Sequence, residues 1–264
     1  MQGEKGNQRL GNQRSGKGRE FIIRRNAVLE TLRANRRHIV CLWMQEGADR
    51  KLMRPILAAA KAHGVEVKTA VKQTLGQLAQ DSKHQGVVLE VGAYRYSSVD
   101  EILAWARKKG ERPFLLLLDL LHGPQNIGSL LRTAEICGVH GVIMQDRRSP
   151  DITSSVVQYS AGAAEHLRIA QVTNLVKTIR RLQEDNIWIV GMDLADNSQS
   201  LVQVDLNMPI GIVVGHEGQG MRRLVQKSCD IRLKLPQRGQ VQSLNAAVAG
   251  SILIYSAWQA RGWE

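Results

Sequence analysis

The chain has 264 residues, enough to bury a sizeable core in one large domain or two small ones. Its formal net charge is +12, and the excess is lopsided: residues 1–111 hold 21 basic and 11 acidic groups, residues 112–264 hold 15 and 13. That split points to a front half that grips a polyanion and a near-neutral back half with another task, while the absence of any apolar run near ~18 residues excludes a membrane-spanning helix.

Residues 1–20 are rich in Gly, Gln and Arg with almost nothing to bury, and are expected to form a disordered basic tail. No apolar secretory segment occurs there, so a cytoplasmic protein is expected. The isolated cysteines Cys41, Cys137 and Cys229 fit free thiols in a reducing compartment, with no zinc or other metal site.

From Phe21 the pattern is globular. Helices are predicted over 26–32, 51–63 and 75–79, and strands over 39–43, 65–67 and 87–91. This is a small α/β unit, placed at 21–92. Arg24, Arg25, Arg36 and Arg37 fall near element ends, where basic groups suit contacts to RNA phosphates and sugars. Residues 93–111 read as a linker containing a helix over 97–109 and ending in the polar breaker Lys108-Lys109-Gly110-Glu111-Arg112-Pro113.

Beyond it, at 112–264, apolar runs and helical segments alternate. Strands are predicted at 114–118, 141–144, 187–193 and 210–214, with helices at 129–137, from a Thr173 cap onward, and at 221–229. A mostly parallel sheet with helices on both faces follows. A short apolar strand around Leu233 and Leu235 then meets a Pro/Gly loop and a long small-residue helix after Asn245. Such strand-to-helix loops expose free backbone groups at one edge of the sheet.

The usual nucleotide signatures fail. No Gly-rich loop ends in Gly-Lys-Ser or Gly-Lys-Thr, and the glycines of Gly215-His216-Glu217-Gly218-Gln219-Gly220 are in the wrong order for a dinucleotide fold. Three loops carry the remaining chemistry: one with Asn126 and Arg132, one with Glu217, one with Ser243 and Asn245.

These loops resemble the three motifs of the SpoU family of RNA ribose 2′-O-methyltransferases in the SPOUT superfamily. The first is carried by Asn126, Gly128, Arg132, Thr133 and Ala134, the second by Gly215, Glu217, Gly218 and Gly220, and the third by Pro236, Gly239, Ser243, Leu244 and Asn245, in the family's order and spacing. Departures stand at Gly123, Gln237 and Ala246. Residues 160–174 are similar to the segment typical of members that modify a guanosine of large-subunit (23S-type) rRNA, and the basic front unit is similar to their ribosomal-protein-like RNA-binding domain.

The resemblance implies a C-terminal trefoil knot, a homodimer and S-adenosyl-L-methionine held by backbone groups around Gly215, Leu235 and Leu244. It gives Arg132 the step in which the hydroxyl loses its proton. A guanidinium is almost always protonated, so a strongly perturbed proton acceptor and a phosphate clamp both stand open. Asn126 is expected to position Arg132 or the ribose, Glu217 to fix its loop or an arginine or to act in catalysis, and Ser243 and Asn245 to bind RNA or shape the cofactor loop. Asn245 is equally a helix N-cap. The expected reaction is methyl transfer to a guanosine 2′-hydroxyl of large-subunit rRNA; the rivals are the same chemistry on tRNA and a non-catalytic RNA-binding or ribosome-assembly protein.

Overall fold

A computed structural model describes residues 18–147, 149–193 and 198–263, so residues 1–17 of the expected basic tail lie outside the described part. Of the expected tail's last residues, Arg19 pairs with Glu90 at 2.7 Å, and Glu20 opens the first strand.

The front unit runs β1 (Glu20–Ile23), α1 (Arg25–Ala34), β2 (Ile39–Gln45), α2 (Arg50–Ala62), β3 (Val67–Ala70), α3 (Lys72–Ala79) and β4 (Val87–Val91). Its strands are ordered β1-β4-β2-β3, with β4 antiparallel to both neighbours and β3 parallel to β2. Every residue of β4 is buried, as expected of a strand covered on both faces.

Next comes α4 (Val99–Lys109), inside the stretch read as a linker. A reciprocal capping box starts it: Glu101 N–H donates to Ser98 Oγ at 3.1 Å, and Ser98 N–H to the Glu101 carboxylate at 2.7 Å. Val99, Ile102 and Leu103 pack with Leu115, Leu117 and Ile143 in one apolar cluster, so the segment is clamped to the second sheet. Its polar sequence ends hid this.

The second unit comprises β5 (Phe114–Leu118), α5 (Pro124–Ile136), β6 (Gly141–Gln145), α6 (Ser154–Tyr159), α7 (Ala163–His166), β7 (Ile169–Val172), α8 (Leu175–Glu184), β8 (Trp188–Met192), β9 (Gln199–Ser200), β10 (Ile210–Val214), α9 (Arg223–Lys227), β11 (Ile231–Lys234) and α10 (Ala246–Ala260). The sheet order is β7-β6-β5-β10-β8-β11-β9, and all pairings within it are parallel. Helix α5 starts five residues before the predicted Ser129, because Pro124 fits the first helical turn, where no N–H partner is needed. Asn174, not Thr173, caps α8 by accepting from Lys177 N–H at 3.0 Å; Thr173 Oγ1 donates to Asp146 instead. No helix among the described residues is long and apolar enough to cross a membrane.

The two units are joined by a buried polar seam. Helix α1 packs on α7, and Gly162, at φ 93°, leaves no room for a side chain: a Cβ there would stand 2.5 Å from Glu30 Cβ. Arg37, expected to face RNA, lies inside this seam with its side chain 1% exposed. It pairs with Glu165 at 2.8 Å and Glu20 at 2.9 Å, and stacks 4.8 Å from the Tyr94 ring centroid. A guanidinium engaged by two carboxylates and shut off from water is not available to a phosphate. Tyr94 Oη donates to Ala164 O at 2.8 Å, and burial pushes its phenol above the usual range.

Candidate active site

Strands β5, β10 and β11 send their C-terminal loops to the same edge of the sheet, where open parallel sheets place ligand sites. The β10–α9 loop is the most tightly built. His216 and Gly220 exchange backbone hydrogen bonds, both 2.9 Å, and Gly215 lies so close to the Gly220–Met221 backbone that a Cβ would clash. Asp119, fully buried at the end of β5, grips the far side of this loop. It accepts from Arg222 N–H at 2.8 Å and Arg222 Nε at 2.7 Å, while Arg222 Nη2 donates to Gln145 at 2.7 Å. Sequence reading missed Asp119, Gln145 and Arg222. The available signal was a carboxylate directly following the uniformly apolar run 114–118.

The β10 and β11 loops enclose a cleft of about 250 Å³. Gly215, Leu235 and Leu244, expected around the cofactor, all line it, with Ser243 at the mouth and Met192 and Met221 adding apolar surface.

Asn126, Glu217 and Asn245 come together beside this cleft. Asn126 Nδ2 donates to Glu217 Oε2 at 2.7 Å; Asn245 Nδ2 donates to Asn126 Oδ1 at 3.2 Å and to Glu217 Oε1. Asn245 Oδ1 meanwhile accepts from Ala247 N–H at 2.9 Å and Val248 N–H at 3.2 Å, capping α10. One side chain thus starts a helix and ties three loops, and of the expected roles of Asn245 the N-cap is the one this geometry displays.

Arg132 is placed differently. It is exposed on α5 and makes no hydrogen bond or ion pair among the described residues. Its spacing sets it on one face with Ser129 and Ile136. Beside that face a groove of about 670 Å³ runs along the packed α5 and α10, lined by Ser129, Thr133, Val248, Ile252 and Tyr255 among others. Val248, Ile252 and Tyr255 are 48%, 40% and 48% exposed, a sizeable apolar stripe for a surface helix.

The expected RNA-contacting arginines are scattered. Arg24 is half-buried; Arg25 is tied to the Gln85 carbonyl at 3.2 Å; Arg36 donates to Leu167 O and, at 3.3 Å, to Ser97 Oγ; Arg37 is interior. Among the described residues no cluster of three His, Cys, Asp or Glu could hold a metal.

Residues 113–255 match the SpoU rRNA Methylase family, and residues 22–97 match the module described as RNA 2′-O ribose methyltransferase substrate binding. The chain is 40% identical over 92% of its length, and 96% of the relative's, to Bacillus subtilis YacO, named for the TrmH family of tRNA/rRNA methyltransferases. A Staphylococcus aureus protein of the same description is 39% identical over 91% and 96%. Among solved structures, the SpoU methyltransferase AviRb of Streptomyces viridochromogenes, in complex with the cofactor AdoMet, superposes with a TM-score of 0.75 at 22% identity, covering 94% and 92% of the two chains. A TrmH-family protein from Porphyromonas gingivalis superposes at 0.70 with 25% identity, covering 91% and 89%.

Proposed function

The chain belongs to the SpoU rRNA methylase family, and we propose that it transfers a methyl group from S-adenosyl-L-methionine to the ribose 2′-hydroxyl of a guanosine in large-subunit rRNA, in the cytoplasm, as a homodimer. The observation that carries this reading is the Asn126–Glu217–Asn245 triangle, which ties the three motif loops together at the rim of one cleft.

The cleft's chemistry suits the proposed cofactor. Adenine and a thioether chain need apolar surface plus a few backbone partners, and the cleft offers Met192, Met221, Leu235 and Leu244 next to the backbone of Gly215 and Gly220. S-adenosyl-L-methionine supplies a sulfonium methyl when bound. The protein's own contribution is then positioning and electrostatics. Gly215, Leu235 and Leu244 hold the cofactor, and Ser243 meets it or the RNA at the mouth. Asn126, Glu217 and Asn245 keep the loops in register. Arg132, an exposed guanidinium on the α5 rim without a partner among the described residues, is suited to clamp a phosphate and to stabilise charge on the 2′-oxygen. The trefoil threading is part of the proposal, and the lining of one cleft by both the 215–221 and 235–244 loops accords with it.

The homodimer reading is supported by the Val248–Ile252–Tyr255 stripe, which borders the Asn126 and Asn245 side chains. A second copy seated there would cover apolar surface and stand next to Arg132.

The test is transfer of labelled methyl to unmodified rRNA and tRNA by wild type and by Arg132→Ala. Ribose label in rRNA that the variant loses supports the proposal. Label confined to tRNA moves the substrate, and no transfer to either, together with no cofactor binding, overturns the enzymatic reading.

A further inference from the structure

A second cleft, of about 520 Å³, opens where the front unit meets the edge of the large sheet. Arg36 and Arg95 reach it from the front unit and its exit, Trp105 and Lys108 from α4, and Arg168 from the residue before β7. Arg168 precedes its strand, whereas the motif loops follow theirs. In a parallel sheet those are opposite edges, so this cleft is separate from the site above.

We propose that the seam cleft binds the phosphodiester backbone of the substrate RNA, as an anchor outside the catalytic centre; the proposal rests on the RNA-substrate reading given above.

Among the described residues four cations line the cleft against a single carboxylate, Glu101, which is already committed to the Ser98 N–H at 2.7 Å. The Arg168 guanidinium lies flat enough to sit 3.9 Å from the Trp105 ring centroid, with the Lys108 and Lys109 ammonium groups 5.9 and 5.8 Å from the same ring. The Arg168 guanidinium makes no hydrogen bond or ion pair among the described residues. Burial and the neighbouring Arg36 charge hold its pKa below the usual guanidinium range, offset only in part by Glu101.

A half-buried planar donor with like charges around it and no acceptor is an unfavourable arrangement that an arriving anion corrects. Phosphate oxygens match such a fork in charge and geometry. The Trp105 face is occupied by Arg168, so the cleft is suited to charge and not to base stacking, as a sequence-independent backbone contact requires. Its cations come from both units, and the buried Arg37–Glu165 pair keeps those units docked beside it. A strand crossing the seam would touch both.

The test uses the full-length protein and a labelled in vitro transcript of large-subunit rRNA, with Kd measured across a range of salt. Arg95→Glu/Lys108→Glu changes two exposed residues, and Arg168→Gln removes the stacked guanidinium. Each is expected to weaken binding at least about tenfold, and the double reversal to lower the slope of log K against log salt by about one to two, from ~0.7–0.9 per phosphate contact. Lys177→Glu/Arg180→Glu, an equal charge change on exposed α8 positions, is expected to weaken it far less. Cofactor affinity and melting temperature of Arg95→Glu/Lys108→Glu serve as the folding check and should match wild type. Wild-type Kd in the seam variants, or equal weakening in the α8 control, overturns the seam site while methyl transfer by wild type leaves the catalytic proposal standing. A wild-type protein that binds no rRNA overturns both.

Discussion

Replacing Asn245 separates two tasks that one side chain performs. Its Oδ1 caps α10 through the Ala247 and Val248 N–H groups, and its Nδ2 ties Asn126 to Glu217. Serine caps a helix about as well as asparagine, so Asn245→Ser is expected to keep stability within about 0.5 kcal/mol. It has no amide to donate, and the bridge is lost. The bonds are exposed, so their stability contribution is small, but loop register enters the transition state directly. A loss of about 1.5–3 kcal/mol there corresponds to roughly 10–150-fold in kcat/KM. Asn245→Ala removes cap and bridge together, adding about 1 kcal/mol of destabilisation, or a melting temperature lower by about 2–4 °C. Initial rates of labelled methyl transfer, read beside thermal unfolding of both variants, check this. Wild-type kcat/KM in Asn245→Ser, with the cap intact, would refute the claim that the triangle sets the reactive geometry.

Three further outcomes follow from the same geometry. Gly215→Ala drives a Cβ into the Gly220–Met221 backbone and should open the cofactor loop; cofactor affinity by calorimetry is expected to fall at least about tenfold, a loss of ~1.4 kcal/mol or more. Ile252→Glu places a charge in the α10 stripe and should shift the proposed dimer to monomer in sedimentation at micromolar concentration, with activity lost alongside; a variant that stays dimeric rejects that face as the interface. His140 accepts from the Phe114 N–H at 3.0 Å through Nδ1 and meets Glu111 at 3.0 Å through Nε2, and burial, only partly countered by Glu111, holds its pKa below 6.5. The folded state therefore binds fewer protons than the unfolded one in that window, so this contribution to stability is present above about pH 6.5 and lost as pH falls through the folded pKa. Thermal unfolding from pH 7.5 to 5.5 should show less acid sensitivity in His140→Gln than in wild type.

Apolar periodicity located most of the chain's elements because their burial is one-sided or complete. The run 114–118 and the run 87–91 are strands buried at every position, as continuous apolar stretches imply. Helix ends were less legible: Pro124 could be read as a loop breaker or as the first turn of α5, and the helix it opens packs on α10, α6 and α7, distant or weakly patterned segments in the sequence. Residues 150–172, with α6, α7 and β7, are short elements with weak period, and the sequence-based reading assigned them no secondary structure. At the site, loop glycines and polar residues were readable from spacing, and the structure brings Gly215, Leu235, Ser243 and Leu244 to one cleft. The Asp119–Arg222–Gln145 brace was not, since its partners lie 77 and 103 residues apart and no local pattern links them.

Charge was the least decisive signal at single positions, and the reason is physical. The surplus of cations in the front half identifies a polyanion-binding region as a whole, because long-range potential sums over residues. It does not say which guanidinium faces solvent. Arg36 and Arg37 are adjacent, yet Arg37 is neutralised by Glu165 and Glu20 inside the seam while Arg36 borders the cleft next to Arg168. Breaking a buried pair such as Arg37–Glu165 strands a carboxylate away from water and costs about 3–5 kcal/mol, so its sequence prominence reflects docking of the two units. Arg132 and Arg168 are the opposite case. Arg132 on α5 and Arg168 just ahead of β7 each present a guanidinium without any acceptor among the described residues, and an arginine so placed is positioned for an anion that arrives with another molecule.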